Sequence, residues 1–370
     1  MKLANSKLKF NWVGYGKPEG DKELELVEGP YVDSLIYRIY GNKNAAILAL
    51  MNGDVDYIFN SLGLERGHAE QLRKAKDVSL IENHTNGFRY LAFNTRRAPM
   101  SISEFRQAIA TVIDRDFVTK KILQGVAFTL ATPVPPGNAF WYNDKVTTWG
   151  DGMNQAQRVE AAVKLLKKAG FTWETEPKII DAAKNKYEPG DGIKMPDGTP
   201  MKRIEMLAPA PGYDPLRSTF ALWIERWVQD LGIPLRAKLT DFNVIATKAF
   251  DEQDFDMYML GWSLGLYPDH LFYFFHSSQA GKGGFNAPGY NNPEYDKAAQ
   301  AFMDATALDE AQKLAFKAQE MLAEDVPYIV LFDTPIIEAY RSDRVKFPYA
   351  EILSGLQYVA GAPGQLKLIK

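Results

Sequence analysis

The chain has 370 residues, and its 43 Lys and Arg residues against 46 Asp and Glu residues give a formal net charge of −3. A hydrophobic fraction of 46% and a charged fraction of 24% are typical of a folded protein and exclude a disordered chain, and this length predicts about two domains. The lack of a basic excess argues against nucleic acid as a partner, and the absence of Cys excludes disulfides, Cys-ligated metals and thiol catalysis.

The first part of the chain has the pattern of a strand, a helix and a second strand. Residues 35–40 are rich in β-branched and aromatic side chains, and residues 54–59 resemble them. Between them, Asn42 or Asn44 can cap a helix that Gly53 ends. The pattern predicts a compact β-α-β unit with parallel strands.

Strands and helices alternate along the rest of the chain, which predicts an α/β fold with two or more lobes. Ser101 and Glu104 have the spacing of a capping box, in which each side chain bonds the other's backbone. The predicted helices cover about 65–75, 105–113, 115–125, 155–170, 215–231, 242–250, 293–302 and 309–324, and the predicted strands 78–82, 87–93, 201–207, 235–239, 256–260, 328–332 and 336–341.

One stretch is unusually aromatic, with eight aromatic residues among the 21 from 255 to 275. A predicted strand ends there at Gly261-Trp262, and ligands of α/β sheets bind beyond the carboxyl ends of strands, in pockets rich in apolar side chains. The rings of residues 272–275 are typical of a core, whereas for Trp262 both core and ligand contact stay open. The predicted ligand-binding residues are Tyr258, Trp262, Ser263, Leu264, Gly265 and Tyr267.

Other polar residues give no sign of an active site. His270 and His276 lie near Asp269, but six-residue spacing puts the two imidazoles on different faces of a helix, so we predict no metal there. The glycines of residues 281–284 lack the strand–helix context of a phosphate loop. No nucleophile elbow, paired zinc-protease histidines or dinucleotide fingerprint is present. We therefore predict no catalytic residue, no metal and no cofactor.

Four stretches, in this order, together resemble a known family. They are residues 44–58 with the sequence LMNGDVD; Phe93-Asn94 followed by FRQAI and IDR at 105–115; residues 255–269 with Gly261-Trp262; and residues 290–296, YNNPEYD, followed by 318–327. In this combination they resemble the family 5 solute-binding proteins of bacterial ABC importers, the oligopeptide- and dipeptide-binding group.

The resemblance implies a bilobal, periplasmic-binding-protein-like α/β fold of type II, cluster C. Residues 1–85 would be the C-terminal portion of the main lobe (domain I), 86–340 the second lobe (similar to domain III), and 341–370 a return crossing into the main lobe. The N-terminal part of the main lobe and an accessory domain would then be missing, as would a leader. The implied location is periplasmic or extracellular, with a lipoprotein anchor on the full-length protein.

The implied function is that of a non-catalytic component that captures a small solute between two lobes and delivers it to a membrane permease. In peptide binders of the family, an Asp three residues after the Gly-Trp pair captures the α-amino group, and here that position is Gly265, flanked by Leu264 and Leu266. The departure favours an oligosaccharide, although an oligopeptide stays open. An oligosaccharide-active hydrolase with paired carboxylates and a transporter-independent solute sensor are the alternatives.

Overall fold

The chain folds into two compact units in the computed structural model, which describes residues 7–11, 23–27, 32–59, 63–64, 66–346, 355 and 367–368. One unit combines Met1–Asn86 with Thr334–Lys370, and the other is Gly87–Asp333. The first division falls one residue from the expected boundary after 85. The second falls after Asp333, seven residues before the expected 340, because the strand that follows pairs within the first unit.

The helices and strands of the described residues have the following bounds. The helices are α1 (Lys43–Asn52), α2 (Arg66–Leu72), α3 (Ser103–Val112), α4 (Gln155–Lys168), α5 (Pro215–Gln229), α6 (Phe242–Ala246), α7 (His270–Tyr273), α8 (Pro293–Asp304) and α9 (Leu308–Asp325), with π-helical turns at Phe117–Ile122 and Thr247–Glu252 and a 3₁₀ turn at Ser277–Gln279. The strands are β1 (Lys7–Asn11), β2 (Glu23–Val27), β3 (Val78–Asn83), β4 (Gly87–Phe93), β5 (Phe128–Thr129), β6 (Thr172–Thr175), β7 (Lys178–Asp181), β8 (Lys186–Glu188), β9 (Asp191–Lys194), β10 (Ile204–Pro209), β11 (Leu235–Thr240), β12 (Met257–Ser263), β13 (Tyr328–Asp333), β14 (Ile336–Arg341), β15 (Val345–Lys346) and β16 (Lys367–Leu368). Among these helices, none has the length and apolar composition needed to cross a bilayer.

The first unit packs α1 and α2 around one small core with a two-stranded antiparallel pair of β3 and β14. The Asn42 side chain accepts a hydrogen bond from the backbone N–H of Ala45, which caps α1 as predicted. Gly53, with a φ of 77°, ends the helix in the left-handed conformation, also as predicted. Ile47 and Leu50 of α1 are buried in the small core of this unit.

The predicted β-α-β unit is wrong. Residues 32–40 have no strand pairing, and residues 54–59 make only an isolated antiparallel bridge between Tyr57 and Tyr340. A strand needs a neighbour for its backbone hydrogen bonds and a core for one face, and the exposed Ile36 and Ile39 show that residues 35–40 gain neither. Propensity alone therefore misled the prediction at both strands.

The second unit is built on a six-stranded mixed sheet with the order β11-β10-β12-β4-β13-β5. Strand β10 runs parallel to β11 and β12, whereas β4 is antiparallel to β12 and β13. Side chains alternate across β4, so that Leu91 and Phe93 join one hydrophobic core and Phe88 and Tyr90 join another on the opposite face. The α/β fold class is confirmed. Strand β4 lies between β12 and β13 and is antiparallel to both.

Helix boundaries in the second unit follow the sequence signals at most positions. Asp214 caps α5 with Pro215 in the first turn, and Asn154 forms an unpredicted capping box with Gln157 at α4. The predicted capping box at Ser101 is wrong, because the Ser101 N–H donates to the preceding turn and α3 begins at Ser103 without a side-chain cap. The predicted helix over 115–125 contains a π-helical turn at Phe117–Ile122.

Arg106 is a buried cation that holds the end of α9 onto α3. Its Nε lies 3.0 Å from the carbonyl oxygens of both Asp325 and Val326, and its Nη1 donates to the Met100 carbonyl at 2.8 Å. Carbonyl groups at a helix C-terminus lack partners within the helix, so the guanidinium supplies the missing donors. Burial lowers the pKa of Arg106 to about 10, which still leaves the side chain charged at neutral pH.

The Asp325 carboxylate extends this contact to α8. It accepts hydrogen bonds from the Tyr290 hydroxyl and, at 2.7 Å, from the Asn292 amide. The Asn292 side chain also caps α8, accepting from the Glu294 N–H at 3.0 Å. Two of the four stretches that carry the family resemblance, the second with Arg106 and the fourth with Asn292 and Asp325, thus meet at one structural junction.

We predict that Arg106→Met lowers the free energy of unfolding by about 3 kcal/mol, because several buried carbonyl groups lose their donors. Lys164→Met is the control, since Lys164 forms an exposed ion pair with Glu160 on α4 of the same unit and its loss costs about 0.5 kcal/mol or less. Urea denaturation measures both. Equal, small changes for the two variants would contradict the role of Arg106.

His270 is a fully buried imidazole at the start of α7. Its Nε2 lies 3.0 Å from the carbonyl oxygen of Pro133. Because a carbonyl only accepts, Nε2 carries the proton of the neutral ring, which leaves Nδ1 as the unprotonated nitrogen. Burial lowers the pKa of His270 to about 4, so the ring is neutral at pH 7.

Because His270 is buried as the neutral ring, we predict that the folded chain loses stability in a defined acidic pH range. Since the folded pKa is about 4 and an unfolded His titrates near 6.5, the unfolded chain binds the extra proton between these values. His270 therefore leaves the free energy of unfolding unchanged above about pH 6.5 and lowers it by about 3 kcal/mol at pH 4.

The measurement is the free energy of unfolding against pH for the wild type and His270→Gln, which keeps a donor for Pro133. The variant should show a flatter profile between pH 6.5 and pH 4. Leu271→Ala, which changes a buried neighbour of His270 without removing a titratable group, should keep the wild-type slope. Identical slopes for wild type and His270→Gln would refute the assignment.

Candidate functional site

The candidate site lies at one edge of the six-stranded sheet, where several strands end or begin. The parallel strands β10, β11 and β12 all end at this edge. The antiparallel β4 begins there, with Gly87 opposite Ser263 and Phe88 opposite Trp262. The loops that leave the carboxyl ends of parallel strands are where α/β proteins bind ligands.

Each of the three loops at this edge exposes an apolar side chain. Tyr213 follows β10 and is 50% exposed, Phe242 begins α6 directly after β11, and Leu266 and Tyr267 follow β12. The rings of Tyr213 and Phe242 lie 5.9 Å apart between centroids, and the Arg217 guanidinium lies 5.5 Å from the Tyr213 ring centroid. Three adjacent loops therefore present apolar surface at one sheet edge.

Tyr213 and Phe242 are site candidates that the sequence reasoning missed. Both follow strands that were predicted, over 201–207 and 235–239, and both are exposed aromatic residues. The strand-end rule that selected Trp262 applies to them equally. The sequence did not reveal the strand order, β11-β10-β12, which brings the loops with Tyr213 and Phe242 to the same sheet edge as Trp262.

Trp262 is half-buried at the end of β12. Its ring stacks on Phe274 with centroids 4.3 Å apart and meets the exposed Phe285 edge-on at 5.8 Å. The indole Nε1 is shielded from solvent, so every exposed atom of this side chain is carbon. Trp262 can therefore offer apolar or stacking contact to a ligand but no N–H hydrogen bond.

Two glycines allow other groups to approach the backbone closely at this edge. A Cβ at Gly261 would lie 2.7 Å from Cδ of Arg89, whose Nη1 is 2.7 Å from the buried carboxylate of Asp333. A Cβ at Gly87 would lie 2.4 Å from the Trp262 carbonyl oxygen. Larger residues would therefore separate β4 from β12 or displace the ion pair, and either change would move Trp262.

The loop after β12 has room for a side chain at Gly265, the position at which the family resemblance implies an Asp. Ser263 and Gly265 are exposed, and Leu264 packs partly against the core. A Cβ at Gly265 would have the Tyr267 carbonyl oxygen, 3.8 Å away, as its nearest neighbour, so a side chain fits there. The Leu266 carbonyl accepts a hydrogen bond from the Asn138 side chain at 2.8 Å, which ties the loop to the unit.

Tyr267 is also fixed, although 39% of it is exposed. Its ring stacks on Phe302 with centroids 5.0 Å apart, and Trp141 packs against it edge-on at 5.2 Å. Tyr258, by contrast, has no exposed surface and lies within the core. Its position does not support direct ligand contact, whereas Trp262, Ser263, Leu264, Gly265 and Tyr267 do lie together at the edge.

The histidines near this edge are engaged with other groups. His270 bonds to Pro133, as described above, and His276 Nδ1 accepts from the Ser278 N–H at 3.1 Å. His276 Nδ1 also lies 4.0 Å from the Asp296 carboxylate. Within the described residues, no group of three or more metal-ligating side chains is close enough to hold an ion.

Comparison with known proteins gives the family. Residues 26–285 match the model described as "Bacterial extracellular solute-binding proteins, family 5 Middle". The oligopeptide-binding protein AppA of Bacillus subtilis is 25% identical over 343 residues, which are 89% of this chain and 54% of AppA. The heme-binding protein A of Haemophilus influenzae is 23% identical over 303 residues, 80% of this chain and 48% of that protein.

Solved structures agree with the fold. AppA in complex with a nonapeptide superimposes with a TM-score of 0.67 at 20% identity, covering 88% of this chain and 58% of that one. The Helicobacter pylori protein DppA in complex with the peptide STSA gives a TM-score of 0.64 at 21% identity, covering 90% and 56%. The chain thus spans about half the length of the relatives that it matches. It belongs to the bacterial extracellular solute-binding proteins of family 5.

Proposed function

We propose that this protein is the solute-binding component of an ABC importer, that it captures peptides and that it releases them unaltered to a membrane permease. The observation that carries the proposal is the set of exposed apolar side chains at one sheet edge of a family 5 chain. Binding would occur outside the cytoplasm, in the periplasm or at the cell surface, with a lipid anchor on the complete protein.

Peptide is favoured over oligosaccharide for two reasons. AppA and DppA carry peptides in their solved structures, and none of the relatives reported above is named for a sugar. The site chemistry agrees, because Trp262 turns its N–H inward and Tyr213 and Phe242 expose rings. Such surfaces match apolar peptide side chains, whereas a sugar also needs many polar partners.

Two carboxylates bordering the sheet are engaged in structural contacts, Asp333 beside the site and Asp256 at the opposite end of β12 from Trp262. Asp333 pairs with Arg89, and the Asp256 carboxylate accepts from the Glu205 N–H at 2.9 Å while pairing with Arg97. A glycoside hydrolase needs two carboxyl groups free to face each other across a substrate, about 5–10 Å apart. Asp333 is paired with Arg89 and Asp256 lies at the far end of β12, so these two acids do not form such a pair, which disfavours the hydrolase alternative.

We predict that Trp262→Ala weakens the binding of peptides with large apolar side chains by about tenfold, which corresponds to losing one aromatic contact. Isothermal titration calorimetry measures the affinity. Trp223→Phe is the control, because Trp223 packs on Phe117 from α5, away from the sheet edge. Sugar binding with no response to any di- to nonapeptide would refute peptide capture.

A second prediction concerns the missing carboxylate. Gly265→Asp fits the available space and places a negative charge where the family pattern has one, so it should raise the affinity for peptides with a free amino terminus by about tenfold. N-acetylated versions of the same peptides should gain nothing. Gly265→Asn controls for shape, and an equal gain with Asn would contradict the electrostatic explanation.

A further inference from the structure

Two buried arginines of the second unit engage all three guanidinium nitrogens with other groups of the chain. Arg106 donates from Nε and Nη1 to carbonyl groups and from Nη2 to the Ser103 hydroxyl. Arg158 donates from Nε and Nη1 to carbonyl groups, and its Nη2 pairs with the Asp114 carboxylate. A guanidinium that leaves water without new partners loses free energy at each donor. Full engagement is therefore what we expect of a buried arginine whose role is structural alone.

Arg89 and Arg217 differ from them, because each engages a single nitrogen. Arg89, with 20% of its side chain exposed, donates from Nη1 to the Asp333 carboxylate at 2.7 Å, and Arg217, with 8% exposed, donates from Nε to Asp214 at 2.7 Å. Their other guanidinium nitrogens have no hydrogen-bond partner among the described residues, and none of these atoms is shielded from solvent. Each guanidinium therefore has N–H donors that a ligand can reach.

Both arginines lie near the sheet edge of the candidate site, on the face against which α5 packs. Arg89 is the third residue of β4, faces away from the core that contains Tyr90, and pairs in register with Phe332. Phe332 in turn stacks on Phe220 of α5 with centroids 4.6 Å apart. Arg217 lies one turn before Phe220, toward the start of α5 at this edge. The stacked rings thus connect the two arginines on one face of the sheet.

The strand connections at this edge pass to opposite faces of the sheet. Strand β10 leads into α5, whose Phe220 belongs to one core, whereas β11 leads into α6, whose Ile245 belongs to the other. Loops that separate in this way leave a crevice in which α/β proteins bind ligands. Tyr213 and Phe242 come from the two separating loops, with ring centroids 5.9 Å apart, and the Arg217 guanidinium lies 5.5 Å from the Tyr213 ring. The donors of Arg217 are therefore beside the exposed rings.

We propose that Arg89 and Arg217 bind the carboxyl-terminal carboxylate of the peptide, so that this protein recognises its ligand from the carboxyl end. The inference rests on the proposed function. A guanidinium binds a carboxylate through parallel N–H donors, and Asp333 and Asp214 hold the two guanidinium groups in place. Gly265 has no carboxylate with which to capture an amino terminus, so the arginines supply the charged contact of the site.

The test compares peptides that have a free carboxyl terminus with the same peptides amidated there, by isothermal titration calorimetry on the complete chain. The wild type should bind the free acids about tenfold more tightly, as hydrogen bonds to a charged group give. Arg89→Lys and Arg217→Lys keep a cation beside Asp333 and Asp214 but lose the planar fork. Each variant should reduce the preference to about threefold, and the double variant should remove it without changing the affinity for the amides.

Arg226→Lys is the matched control, since Arg226 is an exposed arginine in the last turn of α5 and its replacement should leave the preference intact. Equal affinity of the wild type for acid and amide, or a preference that persists in the double variant, would overturn the proposal. If the wild type binds no peptide, the proposed function fails. Titration with acetate then tests the arginines separately: shifts of the Nε–H resonances of Arg89 and Arg217 would support the anion site, and unchanged resonances would overturn it.

Discussion

The antiparallel pairing of β12 with β4 is the constraint on which the rest of the second unit depends. It sets Trp262 opposite Phe88 and Ser263 opposite Gly87, and it divides the side chains of both strands between two cores. A slip by one residue would exchange the two faces and turn Trp262 to the wrong side of the sheet. The glycines at 87 and 261 make this register possible where the backbone and Arg89 approach closely.

The site that results has a mainly apolar surface. Its large exposed side chains are rings and a leucine on three loops, beside the smaller exposed Ser263 and Asp241, and the nearby charges of Arg89 and Asp333 are paired with each other. Enzymes need charged groups aimed at a reacting centre in a water-excluded site. A surface that offers shape and apolar contact agrees with the proposed binding role.

Much of this arrangement could be predicted from the sequence, and the failures have a common cause. Local signals identified α1 by Asn42 and Gly53, α5 by Asp214 and Pro215, and the strand that ends at Trp262. Strand propensity failed at residues 35–40, because pairing depends on a neighbour that propensity cannot see. The sequence likewise did not reveal that Tyr258 is buried and Phe242 exposed, because strand order and the face of the sheet decide which ring is buried.

The family resemblance was recoverable from motifs whose roles are mostly structural. Arg106, Asn292 and Asp325 join three helices, so their recurrence in order specifies the fold and says nothing about the ligand. In the proposed function, the ligand meets loop residues such as Gly265, where the sequence departs from the pattern that the resemblance implies. Under that proposal, fold and specificity are encoded in different parts of this chain.

Cross-linking of a peptide that carries a photoreactive apolar side chain tests the central claim most directly. After irradiation, mass spectrometry locates the modified residues and reports whether the unlinked peptide is intact. The account predicts modification on the loops that follow β10, β11 and β12, at or beside Tyr213, Phe242 and Trp262, together with recovery of uncleaved peptide. Modification confined to other surfaces, or recovery of hydrolysed peptide, would contradict it.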